Sequence, residues 1–218
     1  LGGRAFAVAP AGDTYQVFDA ERLHLKMVGP RLPAPPTALA ARGEWVYAAA
    51  STSGGGGTPI HAVWACHRAD RVARLAGARA PLAALLPFGP DMLLGAARDG
   101  SLLAWAVPRA PAPGDSAGAS SKSPPTEIEP EFVIDLGGMV PTALCHPPTY
   151  LNKVLVGGAD GAMQLWNVAT RRKLYTFDAF AGAGVRALVA APALDVVAAG
   201  LADGRVALHD VRSDRPVA

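Results

Sequence analysis

The stretch Lys153-Val-Leu-Val-Gly-Gly-Ala-Asp-Gly-Ala-Met-Gln-Leu-Trp-Asn167 decides the fold. Two apolar runs flank Asp160-Gly161, and the second closes on Trp166. Asp-Gly between β-prone runs is the strongest short hairpin signal, so this stretch predicts two strands and a two-residue turn, both turn positions tolerating positive φ. The same unit recurs on either side. Met92–Ala97 and Ser101–Trp105 flank Asp99-Gly100, while Asp195–Gly200 and Arg205–His209 flank Asp203-Gly204. Weaker copies run from Arg4 to Asp19 around Gly12-Asp13, and from Trp45 to Cys66 around the expanded turn Gly54–Gly57.

Aligning the residue that closes each second strand gives Phe18, Trp64, Trp105, Trp166 and His209. Their spacing is about 41 to 46 residues, except between Trp105 and Trp166, where a Pro/Ala/Ser/Gly tract intervenes. A period in the forties with four strands per unit is the signature of a WD-repeat β-propeller. The expected fold class is therefore all-β, a partial WD40-type β-propeller of four to five four-stranded blades in one domain over 1–218. The blades are placed near 1–30, 36–76, 80–136, 140–178 and 184–218, with a disordered insertion over 107–130. Asp99, Gly100, Trp105, Asp160, Gly161, Trp166, Asp203, Gly204 and Asp210 are its structural repeat positions. The WD dipeptide survives as Phe18-Asp19, Trp166-Asn167 and His209-Asp210. The Gly-His element is missing, so the usual His–Asp network is not expected and stability should rest on packing between sheets.

Composition agrees. Gly (24) and Pro (20) together make about a fifth of the 218 residues, which demands many turns and disfavours a helical bundle. Half the residues are apolar but only 6% are aromatic, so the core must be built from Ala and aliphatic side chains. A net charge of +2 with 17% charged residues is too balanced for a histone-like nucleic-acid binder or an acidic disordered tail. Two cysteines are too few for a secreted disulfide scaffold, and no long uninterrupted apolar run predicts a membrane span. No signal-peptide pattern is visible, which makes an intracellular location the default. Seven blades would need roughly 300 residues at this period. The chain is expected to be a piece of a larger ring, open, with apolar edges prone to aggregation.

No residue set predicts catalysis. Cys66-His67 and Cys145-His146 suggest zinc, but neighbours in a strand point to opposite faces, so one pair cannot chelate one ion. The glycine run ending at Thr58 lacks the Gly-Lys-Ser/Thr ending of a phosphate loop and no helix pattern follows it. Asp99, Asp160 and Asp203 occupy turn slots that favour Asp for backbone reasons. No nucleophile elbow or paired-histidine motif occurs. Neither cofactor, metal nor small-molecule substrate is expected. Arg171-Arg172-Lys173, in the turn before the last strand of the fourth blade, is a candidate contact for phosphate or an acidic partner; Arg68, Arg71, Arg74 and Arg79 form a looser basic set. Ser120, Ser121, Ser123 and Thr126 in the insertion are candidate phosphorylation sites on composition alone.

The wording of the later blades goes beyond periodicity. The run Pro141-Thr-Ala-Leu-Cys-His-Pro-Pro-Thr-Tyr-Leu-Asn-Lys-Val-Leu-Val-Gly157, with Gln164-Leu-Trp-Asn-Val168 and Lys173-Leu-Tyr-Thr-Phe177, resembles one WD-repeat family. This is the tandem-propeller subunit of the U-three small nucleolar ribonucleoprotein, a glaucoma-linked family in humans. Val185–Val211 is similar to the following repeat, Leu85–Gly89 more weakly to the preceding one, and residues 1–80 fit by position only. The string His146–Lys153 is the distinctive part. The resemblance implies a non-catalytic scaffold of the small-subunit processome in the nucleolus. It implies partners among the propeller proteins of the UTP-B subcomplex and the pre-ribosomal RNA particle, and a role in maturing 18S rRNA. The residues alone leave open a general WD-repeat adaptor, such as a ubiquitin-ligase substrate receptor or a trafficking coat subunit.

Overall fold

In the computed structural model the described residues are 5–52, 59–107, 125–177, 180, 182–192 and 194–217, and they contain strands and turns but no helix. The glycine turn 54–57, Thr58 and the tract 108–124, with Ser120, Ser121 and Ser123, lie outside them. The strands form five separate sheets, numbered here in chain order. The first is β1 (Phe6–Ala11), β2 (Thr14–Asp19) and β3 (Leu25–Val28). The second is β4 (Pro36–Arg42), β5 (Trp45–Thr52), β6 (Ile60–His67) and β7 (Asp70–Ala78), with β11 (Thr126–Ile128) added at its edge. The third is β8 (Leu82–Phe88), β9 (Met92–Ala97), β10 (Ser101–Ala106) and β12 (Phe132–Asp135). The fourth is β13 (Pro141–Cys145), β14 (Lys153–Gly158), β15 (Met163–Asn167) and β16 (Arg172–Phe177). The fifth is β17 (Val185–Ala190), β18 (Val196–Leu201), β19 (Val206–Asp210) and β20 (Arg215–Pro216).

The chain divides into two compact units, Leu1–Leu94 with Ala104–Phe132, and Gly95–Leu103 with Val133–Ala218. In the first unit, Tyr15, Leu32, Val46, Ala48, Ala62, Trp64 and Cys66 form a buried cluster. In the second, Cys145, Leu155, Met163, Phe177, Val185, Val197 and Leu201 do the same. The abundance of Ala has a structural use: Ala48, Ala49, Ala50, Ala62 and Ala65 are buried on β5 and β6, where small side chains let sheets approach closely.

Two threonines on innermost strands tie neighbouring sheets. Thr37 sits at a bulge in β4 and its hydroxyl donates to the Leu82 carbonyl at 2.9 Å. Thr142 sits at the matching bulge in β13 and donates to the carbonyls of Gly157 (3.0 Å) and Val185. A bulge re-aims one side chain out of the pleat, which is what sends each hydroxyl to the next sheet.

Three sequence expectations need correction. The Asp-Gly turns are not two-residue turns with both φ positive. Gly100, Gly161 and Gly204 have φ near +90°, whereas the Asp before each does not. Each glycine N–H donates to the carbonyl three residues back, at 3.1, 3.2 and 3.1 Å. The strands close as three-residue loops, a type I turn followed by a left-handed glycine. Each Asp Oδ1 accepts the N–H two residues on (Ser101, Ala162, Arg205), at 3.1 Å in all three. That Asx contact is why Asp recurs here.

The repeat register also shifts in the second sheet. The residue after the third strand donates to a carbonyl just before the second strand at Val168→Asn152, Val211→Asp195 and Arg68→Glu44. This equates Cys66, not Trp64, with Trp166 and His209. Trp64 lies two residues earlier, and strand residues two apart share a face, so it is buried with Cys66 in the same cluster.

The insertion is not wholly without structure. Thr126–Ile128 pairs parallel with β7, with Glu127 opposite Arg74 and Ile128 opposite Leu75. The Arg74–Glu127 ion pair is 2.6 Å long. Pro130 fills the space over Gly77, where a Cβ would come within 2.6 Å of its ring. A three-residue strand inside a proline-rich tract has too few residues to show a period of two.

Candidate interaction surface

The second residue of each WD dipeptide is a turn cap. Asp19 accepts the N–H groups of Glu21 and Arg22, Asn167 that of Thr170, and Asp210 those of Arg212 and Ser213. The Ser213 side-chain hydroxyl, ahead of these backbone N–H groups, is the main reason the Asp210 carboxyl is held below its ordinary pKa. Four residues on, Leu23, Arg171 and Asp214 all take positive φ, between 53° and 58°. The expected basic turn is thus split. Arg171 occupies the left-handed position, while Arg172 and Lys173 are the first residues of β16, opposite Asn167 and Trp166. All three are exposed.

The buried tryptophans differ in what their indole N–H groups reach. Trp105, fully buried, donates to the Ala76 carbonyl of the second sheet at 2.8 Å. Trp166 donates to Gln164 Oε1 at 2.8 Å, and the Gln164 amide donates on to Leu136 at 3.3 Å. A local His–Asp contact does exist: His209 Nε2 lies 2.9 Å from Asp214 Oδ1, and Tyr175 donates to Asp214 Oδ2 at 2.8 Å. The Tyr175 phenol is raised by that bond. The sequence reading missed it because the partner is Asp214, in a turn, rather than a hairpin aspartate. A concavity of about 240 Å³ beside His209, lined by Phe180, Leu201 and Arg205, is smaller than most small-molecule sites.

The two Cys-His pairs are split, Cys66-His67 by alternation within β6 and Cys145-His146 where β13 ends. The Cys66 thiol is buried and His67 faces Glu44 at 3.3 Å. Cys145 is buried and His146 Nδ1 lies 2.7 Å from the Lys153 carbonyl. The two cysteines do not occupy equivalent strands, since Cys66 is on the third strand of its sheet and Cys145 on the innermost of its own. Among the described residues no three His, Cys, Asp or Glu side chains cluster to hold a metal.

Burial pushes the Cys66 thiol up to about 11. The neutral thiol is favoured in the fold, so its stabilisation is complete below the ordinary thiol value near 8.5 and is lost as pH rises through about 11. Thermal unfolding should shift downward more steeply between pH 8.5 and 11 in the native protein than in Cys66→Ala. Both thiols should resist a disulfide reagent at neutral pH until denaturant is added.

The family string forms the loop between β13 and β14. Pro147 is buried, and Tyr150 N–H donates to its carbonyl at 3.0 Å, with Pro148 in the turn position that favours proline. Lys153 Nζ lies 4.3 Å from the centre of the Tyr150 ring. Thr149 donates to Asp195 Oδ1 at 2.6 Å, joining this loop to the one between β17 and β18. Asn152 takes φ 58° and its carbonyl accepts the Val168 N–H at 2.7 Å. Asp195, Arg212 and Asp210 all act on the Tyr150 phenol, which is raised chiefly by burial. At the tip of this tied loop Leu151 is 85% exposed, and Leu194 on the joined loop is 64% exposed.

Small antiparallel sheets with a repeating Asp-Gly hairpin, a capped WD dipeptide and a tryptophan-bearing third strand define a WD-repeat β-propeller protein. A chain in the crystal structure of a mitotic checkpoint complex has the same fold, with a TM-score of 0.68 at 16% identity over 93% of this chain and 56% of that one. The family model described as the WDR36/Utp21 first beta-propeller matches residues 8–218, and the chain belongs to that family. It is 31% identical to human WD repeat-containing protein 36 over 96% of its length. It is 28% identical to the Schizosaccharomyces pombe U3 small nucleolar RNA-associated protein 21 homolog over 93% of this chain, and 28% identical to the Saccharomyces cerevisiae U3 small nucleolar RNA-associated protein 21 over 100% of this chain. It spans about a fifth of each relative.

Proposed function

We propose that this chain is a non-catalytic scaffold segment acting in ribosome biogenesis, within the small-subunit processome built around the U3 small nucleolar RNA. The carrying observation is the family match over residues 8–218, together with two relatives named for association with that RNA. In this reading the protein works in the nucleolus, holds other propeller proteins of the UTP-B subcomplex on the pre-ribosomal RNA, and supports 18S rRNA maturation. Arg171, Arg172 and Lys173 supply a cationic contact for an acidic partner or RNA phosphate, and the repeat positions serve the blade fold. Such a contact weakens with salt. Tagged full-length protein is expected to co-sediment with pre-ribosomal particles, recover U3 RNA, and lose recovery on charge reversal at the three basic positions. Recovery of a ubiquitin-ligase adaptor without U3 RNA overturns the reading.

A further inference from the structure

The stretch Thr126-Glu-Ile-Glu-Pro-Glu131 begins with a hydroxyl and then alternates carboxylates. They follow Thr126 at the first, third and fifth positions, and no other Ser or Thr in the chain has a carboxylate three residues on. Thr126, Glu127, Glu129 and Glu131 are all exposed. Thr37 and Thr142 spend their hydroxyls on carbonyls of neighbouring sheets. The Thr126 hydroxyl has no hydrogen bond among the described residues.

The setting makes this hydroxyl available to an enzyme. β11 is the last strand of its sheet, so one side of its extended backbone is unpaired. Only Thr126, Glu127 and Ile128 pair with β7, and the anchors are the Arg74–Glu127 ion pair and Pro130 over Gly77. Both partners of that ion pair reach water, and an exposed pair contributes little. So short an edge element opens locally without unfolding the sheet behind it. Once open, it is an extended segment whose carboxylates suit a cleft lined with Lys and Arg.

We propose that Thr126 is phosphorylated by an acidophilic serine/threonine kinase, and that the phosphate releases β11 from β7. A nucleoside triphosphate supplies the group. A bond forms between Thr126 Oγ1 and the γ-phosphorus while the bond from that phosphorus to the bridging oxygen breaks. The nucleoside diphosphate leaves, and the hydroxyl proton passes to a carboxylate of the kinase. The added charge, about −1.5 to −2, meets no cation of β7 on its own face. Ala73 and Leu75 stand there, Arg74 lies on the other face with Glu127, and a bulge in β7 turns Arg71 to the face of Cys66. Its neighbours along the strand are Glu127 and Glu129, so like charges repel and β11 detaches. The switch goes beyond the scaffold role and stands independently of it.

The test incubates full-length protein with magnesium ATP and an acidophilic or a basophilic kinase, and maps the phosphate by mass spectrometry. Only the acidophilic kinase should modify Thr126. Glu129→Gln should slow that step by roughly ten-fold, the worth of one charge-assisted contact, and Glu21→Gln, also exposed, should not. Phosphorylation should speed hydrogen exchange along β11 several-fold and leave β14 unchanged. Protein from growing cells should carry phosphate at Thr126. Phosphate at Ser120, Ser121 or Ser123 in its place, an unchanged rate with Glu129→Gln, unchanged or slower exchange in β11, or an unmodified Thr126 in cells overturns the proposal. Loss of U3 RNA recovery would instead remove the scaffold role, and the phosphate map would still decide the switch.

Discussion

Gly161→Ala is expected to destabilise the protein by about 2–5 kcal/mol, well beyond Gly204→Ala at about 1–2 kcal/mol. The two glycines occupy the same slot of the same turn, with φ of 91° and 89°. An L residue pays the left-handed penalty equally at both. The surroundings differ. A Cβ on Gly161 would run into the Phe180 carbonyl and come within 2.8 Å of that of Ala183, backbone atoms that cannot rotate away. A Cβ on Gly204 meets nothing within 4 Å, and one on Gly100 meets only the Met139 carbonyl at 3.0 Å. The order of cost should therefore be Gly161, Gly100, Gly204. Thermal unfolding of the three variants checks it, and equal losses would mean the backbone conformation alone sets the cost.

Trp105→Ala should cost about 3–5 kcal/mol, the usual range for emptying a buried aromatic site. The ring is fully buried on β10, and its N–H satisfies the Ala76 carbonyl of β7. Trp105→Phe keeps most of the volume but orphans that carbonyl, at about 1–3 kcal/mol. The loss should show as faster hydrogen exchange along β7 as well as along β10. At Trp166 the indole N–H meets a side chain of its own strand, Gln164. Trp166→Phe should therefore loosen the fourth sheet while leaving exchange in β7 unchanged. Equal exchange changes in β7 from both phenylalanine variants would show that Trp105 does not tie the second sheet to the third.

The hairpins were the most legible part of the chain. Apolar alternation and Asp-Gly are local signals, and a local turn obeys them whatever surrounds it. Their φ pattern was misread because Asp-Gly serves two loop lengths, and only the pairing partners on either side distinguish them. Trp64 was misaligned for a related reason: a large ring two residues from the repeat position lies on the correct face, so burial favours it as well as Cys66. The family string His146–Lys153 was visible as wording, but not as a rigid loop with an exposed tip. That required the contacts of Thr149 with Asp195 and of Lys153 with Tyr150.

Sequence by itself determined the all-β class, the blade period, the turn residues and the family, because each is carried by residues close together in the chain. Tertiary structure alone decided which strands share a sheet edge and which exposed residues stand together. Thr126–Ile128 lies some fifty residues from β7 yet pairs with it, and Leu194 stands on the loop bonded to that of Leu151 only because Thr149 meets Asp195. Hydrogen bonds across such separations depend on where the backbone folds back, and no local pattern of side chains encodes that distance.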